Sequence, residues 1–309
     1  MSGDVVTCSV DGSVRAHVFP GGHVVDFPVE AGVRPVRHAA ARDLGRAAYV
    51  TGDELVAVDR TGAVLWRYGF GPVVRARYSA EGACAFSPDG GSVWLYLPDA
   101  MAGRGDGGDR WLVLDAATGE VRAQAALDSE GHGGRHFPHP DGVHVLLDVG
   151  EGQDGVRVYR GRLDGTAPGG SLDLHAYPWG DRILLGVAPD GHRFLTADHA
   201  QEDVALHTFP DGEVVARLAV DDFGHDPGEV FVEWSGGFLD AATAVVALVG
   251  ETDGEDWTRY HLVDVEGGQP LGVLDTPPDG SEGIRPLGDG SWLTFDPAGR
   301  PTHHREAVR

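Results

Sequence analysis

The chain has no lysine and no asparagine, and only two cysteines and two methionines in 309 residues. Arginine therefore supplies every fixed positive side-chain charge, and Schiff-base chemistry at a lysine is excluded. The net charge of −24 disfavours nucleic acid and anionic membranes as partners, because both attract basic side chains. This composition resembles that of high-GC actinobacterial or halotolerant proteins.

Long apolar runs are missing as well. No stretch approaches the roughly 18 apolar residues of a membrane helix, and the N-terminus lacks the basic and apolar regions of a secretory signal. The two cysteines, Cys8 and Cys84, lie in apolar strand patterns and are too few for a disulfide framework. We therefore expect a cytoplasmic protein with reduced thiols.

What the chain has in abundance is glycine and proline, 47 and 19 residues, which favour many short strands with tight turns. One pattern recurs, in which an apolar run, Pro-Asp-Gly and a second apolar run follow one another. It occurs at residues 85–97, 136–149 and 185–197, with a weaker copy at 293–300. Pro presets φ, Asp bonds the local backbone and Gly supplies a positive φ, so each copy predicts a β-hairpin.

A second pattern, strand–turn–strand, follows each of the first, for example at residues 111–127 and 204–220. Together they make a four-stranded meander of about 45 residues, which is the period of a propeller blade. The segments FSPDGGSVWLYL and WLVLDAATGEV resemble the WD40-like repeats of β-propellers. The Trp-Asp dipeptide of that family is absent, so the resemblance extends to the wider propeller superfamily.

The resemblance implies an all-β fold, a single β-propeller domain over 1–309 with four-stranded antiparallel blades, here labelled A to D outward. Five blades cover about 35–77, 78–130, 131–178, 179–226 and 227–282. The N-terminus (about 1–34) aligns with strands B to D, and residues 288–300 resemble a strand A. The two ends would then complete a sixth blade. Seven blades are the alternative, if the 280s and residues 301–309 add strands, although His303 and His304 are expected to be exposed in a tail.

In a propeller the loops from D to the next A share one face, where ligands usually bind. These loops are rich in Arg, His and Glu. The candidate ligand-binding residues are Arg37, His38, Arg77, Tyr78, His132, Arg135, His136, Trp179, Arg182, His225, Glu229, Glu233 and Arg285. The arginines could bind an anion, since their forks match carboxylates and phosphates, or could pair within an acidic shell.

A divalent metal is the cofactor that this set would bind, with His132, His136, Glu229 and Glu233 as candidate ligands. The densest histidine cluster is His132, His136 and His139. Strand alternation places Glu229, Phe231 and Glu233 on one side and Val230, Val232 and Trp234 on the other.

Serine-hydrolase, P-loop and zincin motifs are absent, so the sequence assigns no reaction. Two interpretations stay open. The first is a module that binds another protein or an anionic small molecule through its polar loop face. The alternative is a small-molecule enzyme, a lyase, cyclase or hydrolase of a biosynthetic pathway, with His136 and Glu233 as candidate catalytic residues.

Overall fold

A computed structural model describes residues 4–74, 80–104, 108–165, 170–179, 181–276 and 283–305. Across these residues the strands form seven antiparallel sheets, and neighbouring strands in each sheet are consecutive in the chain. The protein is an all-β propeller, as expected. The six-blade count is wrong, and the alternative of seven blades is confirmed. The chain divides into two compact units, Met1–Pro178 and Trp179–Arg309.

The first unit holds four sheets. The first sheet contains β1 (Asp4–Val10), β2 (Ser13–Phe19) and β3 (His23–Pro28). The second contains β4 (Arg37–Ala40), β5 (Arg46–Val50), β6 (Glu54–Asp59) and β7 (Val64–Gly69). The third contains β8 (Ala83–Phe86), β9 (Ser92–Leu97), β10 (Arg110–Asp115) and β11 (Val121–Ala126), with helix α1 (Asp99–Ala102) between β9 and β10. The fourth contains β12 (Gly133–Pro138), β13 (His144–Gly150), β14 (Val156–Asp164) and β15 (Ser171–Ala176), with a 3-10 turn at Gly152–Asp154.

The second unit holds three sheets. The fifth sheet contains β16 (Arg182–Val187), β17 (Arg193–Asp198), β18 (Asp203–Thr208) and β19 (Val214–Ala219), followed by a 3-10 turn at Val220–Phe223. The sixth contains β20 (Val230–Phe238), β21 (Thr243–Thr252), β22 (Glu255–Asp264) and β23 (Gln269–Val273). The seventh contains β24 (Ile284–Pro286), β25 (Ser291–Phe295) and β26 (Pro301–Arg305). No helix in these described ranges is long and apolar enough to cross a membrane.

The additional blade is formed at the C-terminal end of the described residues. The segment predicted to be a lone strand A is β25, the middle strand of the seventh sheet, between β24 and β26. Strand β24 has three residues and ends in Pro286, which is too short for an alternating pattern. Strand β26 carries two histidines instead of an apolar alternation, yet His304 bonds Thr294 and stacks on Trp292. The single-domain assignment stays a prediction.

The Pro-Asp-Gly segments form the predicted hairpin turns. Gly90, Gly142 and Gly191 have φ of 71°, 75° and 75°, a region that glycine adopts without strain. The preceding aspartate caps each turn, as when Asp89 Oδ1 accepts the backbone N–H of Gly91 at 2.9 Å. The turns therefore join the first and second strands of the third, fourth and fifth sheets.

The core of each unit lies between successive sheets. In the first unit, Trp94 and Trp111 are almost fully buried and stand 4.9 Å apart between the third and fourth sheets. Gly161 on β14 faces them, and a Cβ there would lie 2.7 Å from the Trp111 ring. In the second unit, valines and leucines of β17, β18, β20 and β21 form a continuous buried cluster. Each such side chain contributes about 1.5–3 kcal/mol by leaving water.

Candidate binding site

Strand β20, which the sequence predicted to carry two site glutamates, contains a wide bulge. Its ladder to β21 pairs Val232 with Leu248 and resumes with Gly236 opposite Val246. Residues 233–235 therefore stand opposite the single residue Ala247. Extra residues in one strand leave the ladder and point their side chains in a new direction, which is why bulges are frequent next to functional sites.

Two glycines make the bulge possible. Gly236 and Gly237 have φ of 149° and 141°, a backbone region that favours glycine. A Cβ on Gly236 would lie 2.3 Å from the carbonyl oxygen of Val245. The Ser-Gly-Gly segment after Trp234 is thus the local cause of the bulge, because only glycine lets the strand return to its partner here.

The bulge presents an aromatic surface. Trp234 stacks on His199 with 5.2 Å between ring centroids and an interplanar angle of 11°. It nevertheless keeps 42% of its surface exposed, and Phe231 on the same strand keeps 45%. The loop between β17 and β18 carries both His199 and Gln201. Gln201 holds β20 close to this loop, since its backbone carbonyl accepts the N–H of Val232 and its side-chain amide donates to the carbonyl of Val232. Stacking covers one face of the Trp234 ring and fixes its plane.

The two glutamates flank these rings. The predicted alternation holds as far as Val232, because Val230 and Val232 are 6% and 0% exposed whereas Phe231 is open. It fails at Trp234, which was expected beside the valines and which the bulge turns to solvent. Glu229 is exposed just before the strand, and Glu233 is half-buried, with its Oε1 accepting the backbone N–H of Trp234 at 3.0 Å. We call Phe231, Glu233, Trp234 and His199 the β20 site.

The candidate arginines are mostly engaged. Arg37 pairs with Glu81 at 2.8 Å. Arg182 is buried, and it pairs with Asp203 at 2.7 Å and donates to Thr196. The guanidinium of Arg135 lies 4.5 Å above the ring of Phe137, and Arg285 is exposed on β24.

The candidate histidines of the first unit are bound into the structure. His38 donates through Nδ1 to Thr7 Oγ1 at 2.8 Å, and burial lowers its pKa. His132 precedes β12, and its backbone bonds Glu81 and Gly150. His136 accepts a hydrogen bond at Nε2 from Trp111 at 3.0 Å.

Although His136 keeps partial surface exposure, its Nδ1 is buried, and burial lowers its pKa to about 3. The ring therefore stays neutral and is a weak proton acceptor. Because Nε2 accepts, the proton lies on Nδ1, which has no partner among the described residues.

The remaining candidates lie in the second unit or outside the described residues. Trp179 packs on the buried His207 with 4.4 Å between ring centroids. His225 contacts the rings of Trp257 and His261 at 5.5 and 5.3 Å. The predicted metal pairs fall in different units, His132 and His136 in the first and Glu229 and Glu233 in the second. Arg77 and Tyr78 lie outside the described residues.

Sequence reasoning missed a recurring polar pair. In three sheets a Cys or Thr on one strand contacts a histidine two residues beyond its ladder partner on the next strand. The pairs are Cys8–His17, Thr196–His207 and Thr294–His304. Only the spacing of nine to eleven residues between their members could have indicated them. They cross-link neighbouring strands and give the buried His207 and the half-buried His17 and His304 a partner within the sheet.

Comparison with known proteins supports the fold alone. A solved structure of hydrazine synthase from Kuenenia stuttgartiensis is similar at a TM-score of 0.60 with 14% identity, covering 96% of this chain and 90% of that chain. A 2-C-methyl-D-erythritol 2,4-cyclodiphosphate synthase from Alcanivorax borkumensis is 34% identical over 68 residues, 22% of this chain. The match spans 42% of that synthase, less than half its length. No family model matches the chain.

Proposed function

We propose that this propeller is a protein-binding module, and that the β20 site binds a basic side chain of a partner protein. The observation that carries the proposal is the exposed Trp234, held on His199 by a bulge that costs the strand its regular pairing. A cation over the face of a tryptophan gains about 0.5–2 kcal/mol. A ring so placed is suited to binding a guanidinium or ammonium group.

Charge supports a basic partner. The chain carries 48 acidic against 24 basic side chains, and Glu233 sets a carboxylate beside the Trp234 backbone. An acidic surface speeds the encounter with a basic partner and suppresses acidic ones. Two of the arginines that could have bound an anionic small molecule, Arg37 and Arg182, are paired with carboxylates of the protein instead.

The contacts of the candidate catalytic residues support binding over catalysis. His136 is held neutral and hydrogen-bonded to Trp111, and Glu233 accepts the N–H of its own neighbour. The proposal keeps a cytoplasmic setting. Neither cysteine forms a disulfide, and burial raises the pKa of Cys84 to about 12, which makes that thiol unreactive.

The test uses two fluorescent peptides of equal length, one rich in arginine and one rich in glutamate, and measures anisotropy. We expect the parent to bind the arginine peptide and Trp234→Ala to weaken that binding about 5- to 30-fold, which corresponds to about 1–2 kcal/mol. Glu233→Gln should weaken it less and reduce its salt dependence.

Val215→Ala removes a side chain of similar exposure, 47%, from β19 of the same unit, and is the matched control. Preference for the glutamate peptide would instead support the anion-binding interpretation. Equal binding by the parent and Trp234→Ala would overturn the role of the β20 site.

A further inference from the structure

The hairpin turn between β12 and β13 brings together three potential metal ligands that the sequence did not group. These are His139, Asp141 and His144, and their ligand atoms all lie within 4.8 Å of one another. Asp141 Oδ2 is 3.1 Å from His139 Nδ1 and 2.6 Å from His144 Nδ1. The two imidazole rings meet edge to face with 6.2 Å between centroids.

The hydrogen bonds of Asp141 fix this convergence. Its Oδ1 accepts the backbone N–H groups of Val143 and His144 at 2.8 and 3.0 Å, which orients the carboxylate and leaves Oδ2 toward the rings. The carboxylate is thus held in one orientation, with Oδ2 aimed at two imidazoles.

The nitrogen of His139 that faces Asp141 is an acceptor. The backbone N–H of Asp141 donates to His139 Nδ1 at 3.2 Å, so the single lone pair of Nδ1 is directed into the turn, and a bound cation would take the place of this hydrogen bond. A second electron donor, Oδ2, then faces the same nitrogen. Metal ions bind neutral imidazole nitrogens and carboxylate oxygens, which are the atoms gathered at this turn.

The turn itself does not require histidine. The equivalent turn between β8 and β9 has Ser87, Asp89 and Ser92 in the three positions, and Ser87 Oγ bonds Asp89 at 2.5 Å. Its backbone bonds, Ser87 N to Ser92 O at 2.9 Å and Gly90 N to Ser87 O at 2.8 Å, recur as His139 N to His144 O at 2.9 Å and Gly142 N to His139 O at 3.1 Å. The two histidines are therefore additional to what folds the hairpin.

We propose that His139 Nδ1, Asp141 Oδ2 and His144 Nδ1 bind a divalent transition metal of the zinc class. Imidazole and carboxylate are its usual ligands, at about 2.0–2.2 Å, which places tetrahedral donors about 3.4 Å apart. Asp141 Oδ2 lies closer than that to both nitrogens, at 3.1 and 2.6 Å, so a bound metal would move these donors slightly apart. His139 is 2% exposed and anchors the site, whereas Asp141 and His144 retain side-chain exposures of 34% and 21%. The fourth coordination position therefore faces solvent, open to water or an exogenous ligand.

The test is binding of Co²⁺ and Zn²⁺ to tag-free protein. We expect one equivalent of Co²⁺ to produce the intense visible absorption of a tetrahedral site, and one equivalent of Zn²⁺ to displace it. His139→Ser with His144→Ser recreates the side chains of the β8–β9 turn, so this double variant should fold. We expect it to lose about 100-fold or more in affinity.

His192→Ser is the matched control, because His192 is exposed in the corresponding turn between β16 and β17 and its N–H bonds Asp190. It should bind metal as the parent does. A nitrogen-detected NMR spectrum of the parent should show Zn²⁺ shifting Nδ1 of two histidines only, which tests the proposal even if the double variant fails to fold. Lack of one-to-one binding, unchanged binding in the double variant, or shifts at other histidines would overturn it.

Discussion

The fifth and sixth sheets both begin with a bulged strand, but the two bulges turn their extra residues in opposite directions. In β16 the pairing to β17 shifts between Leu184 and Gly186, and the extra residue, Leu185, is 5% exposed within the buried cluster. In β20 the pairing shifts between Val232 and Gly236, and Trp234 is 42% exposed. A bulge that turns an apolar residue inward adds to the core, whereas one that turns a tryptophan outward leaves it available for a partner.

Their buried histidines differ in the same way. His207 of the fifth sheet is fully satisfied, since Nδ1 donates to Gly212 O at 3.1 Å and Nε2 accepts from Thr196 at 2.8 Å. In the sixth sheet, Nε2 of His261 is buried and has no partner among the described residues. The buried histidine of the fifth sheet is thus fully hydrogen-bonded, whereas that of the sixth sheet has one buried nitrogen without a partner among the described residues.

Among substitutions at the two bulges, Gly236→Ala should have the largest effect on the free energy of unfolding. The new Cβ would meet the carbonyl oxygen of Val245 at 2.3 Å, and φ of 149° is strained for alanine. We expect a loss of about 3–4 kcal/mol in the free energy of unfolding, measured by urea denaturation. Gly254→Ala is the control, because Gly254 also has a positive φ but a Cβ there meets nothing within 4 Å. This variant has the backbone strain without the steric clash, and it should cost only about 1 kcal/mol. Equal losses in both variants would contradict the close approach at Gly236.

The closed network of the fifth sheet predicts a pH dependence. Burial, first of all, lowers the pKa of His207 from 6.5 to about 4 in the folded protein. Between these values the unfolded chain binds more protons, so stability is complete above about 6.5 and falls as the pH drops toward about 4, by about 3 kcal/mol.

His207→Gln keeps a donor and an acceptor but no titrating ring. Urea unfolding between about pH 7 and 4.5 should therefore show a smaller slope for this variant than for the parent. His136 and His261 titrate in the same direction, because burial also lowers their pKa values, to about 3 and about 4. Part of the slope should remain for that reason, and an unchanged slope would mean that His207 is not held neutral.

The inward bulge residue gives the third prediction. Leu185→Ala removes a buried side chain next to Gly236, whose Cβ would lie 3.6 Å from Leu185 Cδ1. We expect a loss of about 2–3 kcal/mol in the free energy of unfolding. Leu185→Met should lose less than about 1.5 kcal/mol, since it conserves volume. A tolerated Leu185→Ala would mean that the two bulges do not differ in packing.

Local turn chemistry explains why the sequence predicted most of this fold. Pro-Asp-Gly determines its own backbone, so the hairpins at Gly90, Gly142 and Gly191 followed from neighbours in the chain. The seventh sheet could not be predicted in this way, because β24 and β26 have no apolar alternation and gain their strand conformation from pairing with β25. Short strands that depend on their partners are poorly predicted by periodicity.

In the candidate sites, too, features set by neighbouring residues were predictable and features set by strand pairing were not. Glu229 and Glu233 were identified because carboxylates stand out in an apolar strand, and the Gly-Gly pair that follows them is a visible signal of a bulge. The direction of Trp234 depends on where the ladder resumes, which no spacing reveals. His139 was grouped with His132 and His136 by proximity in sequence, whereas its contacts are with Asp141 and His144 across the turn.

The smallest effect on stability, and the most informative for function, is expected at the outward bulge. Trp234→Ala removes the stacking on His199 and the buried part of a ring that is 42% exposed, so the free energy of unfolding should fall by about 1–2 kcal/mol, less than for Leu185→Ala. Binding of the arginine peptide should nevertheless weaken, whereas Leu185→Ala should leave that binding unchanged in the folded fraction. Measuring both properties on both variants distinguishes a tryptophan kept for a partner from one kept for packing. A loss of stability at Trp234 as large as that at Leu185 would remove the contrast between the two sheets and, with it, the main argument for the β20 site.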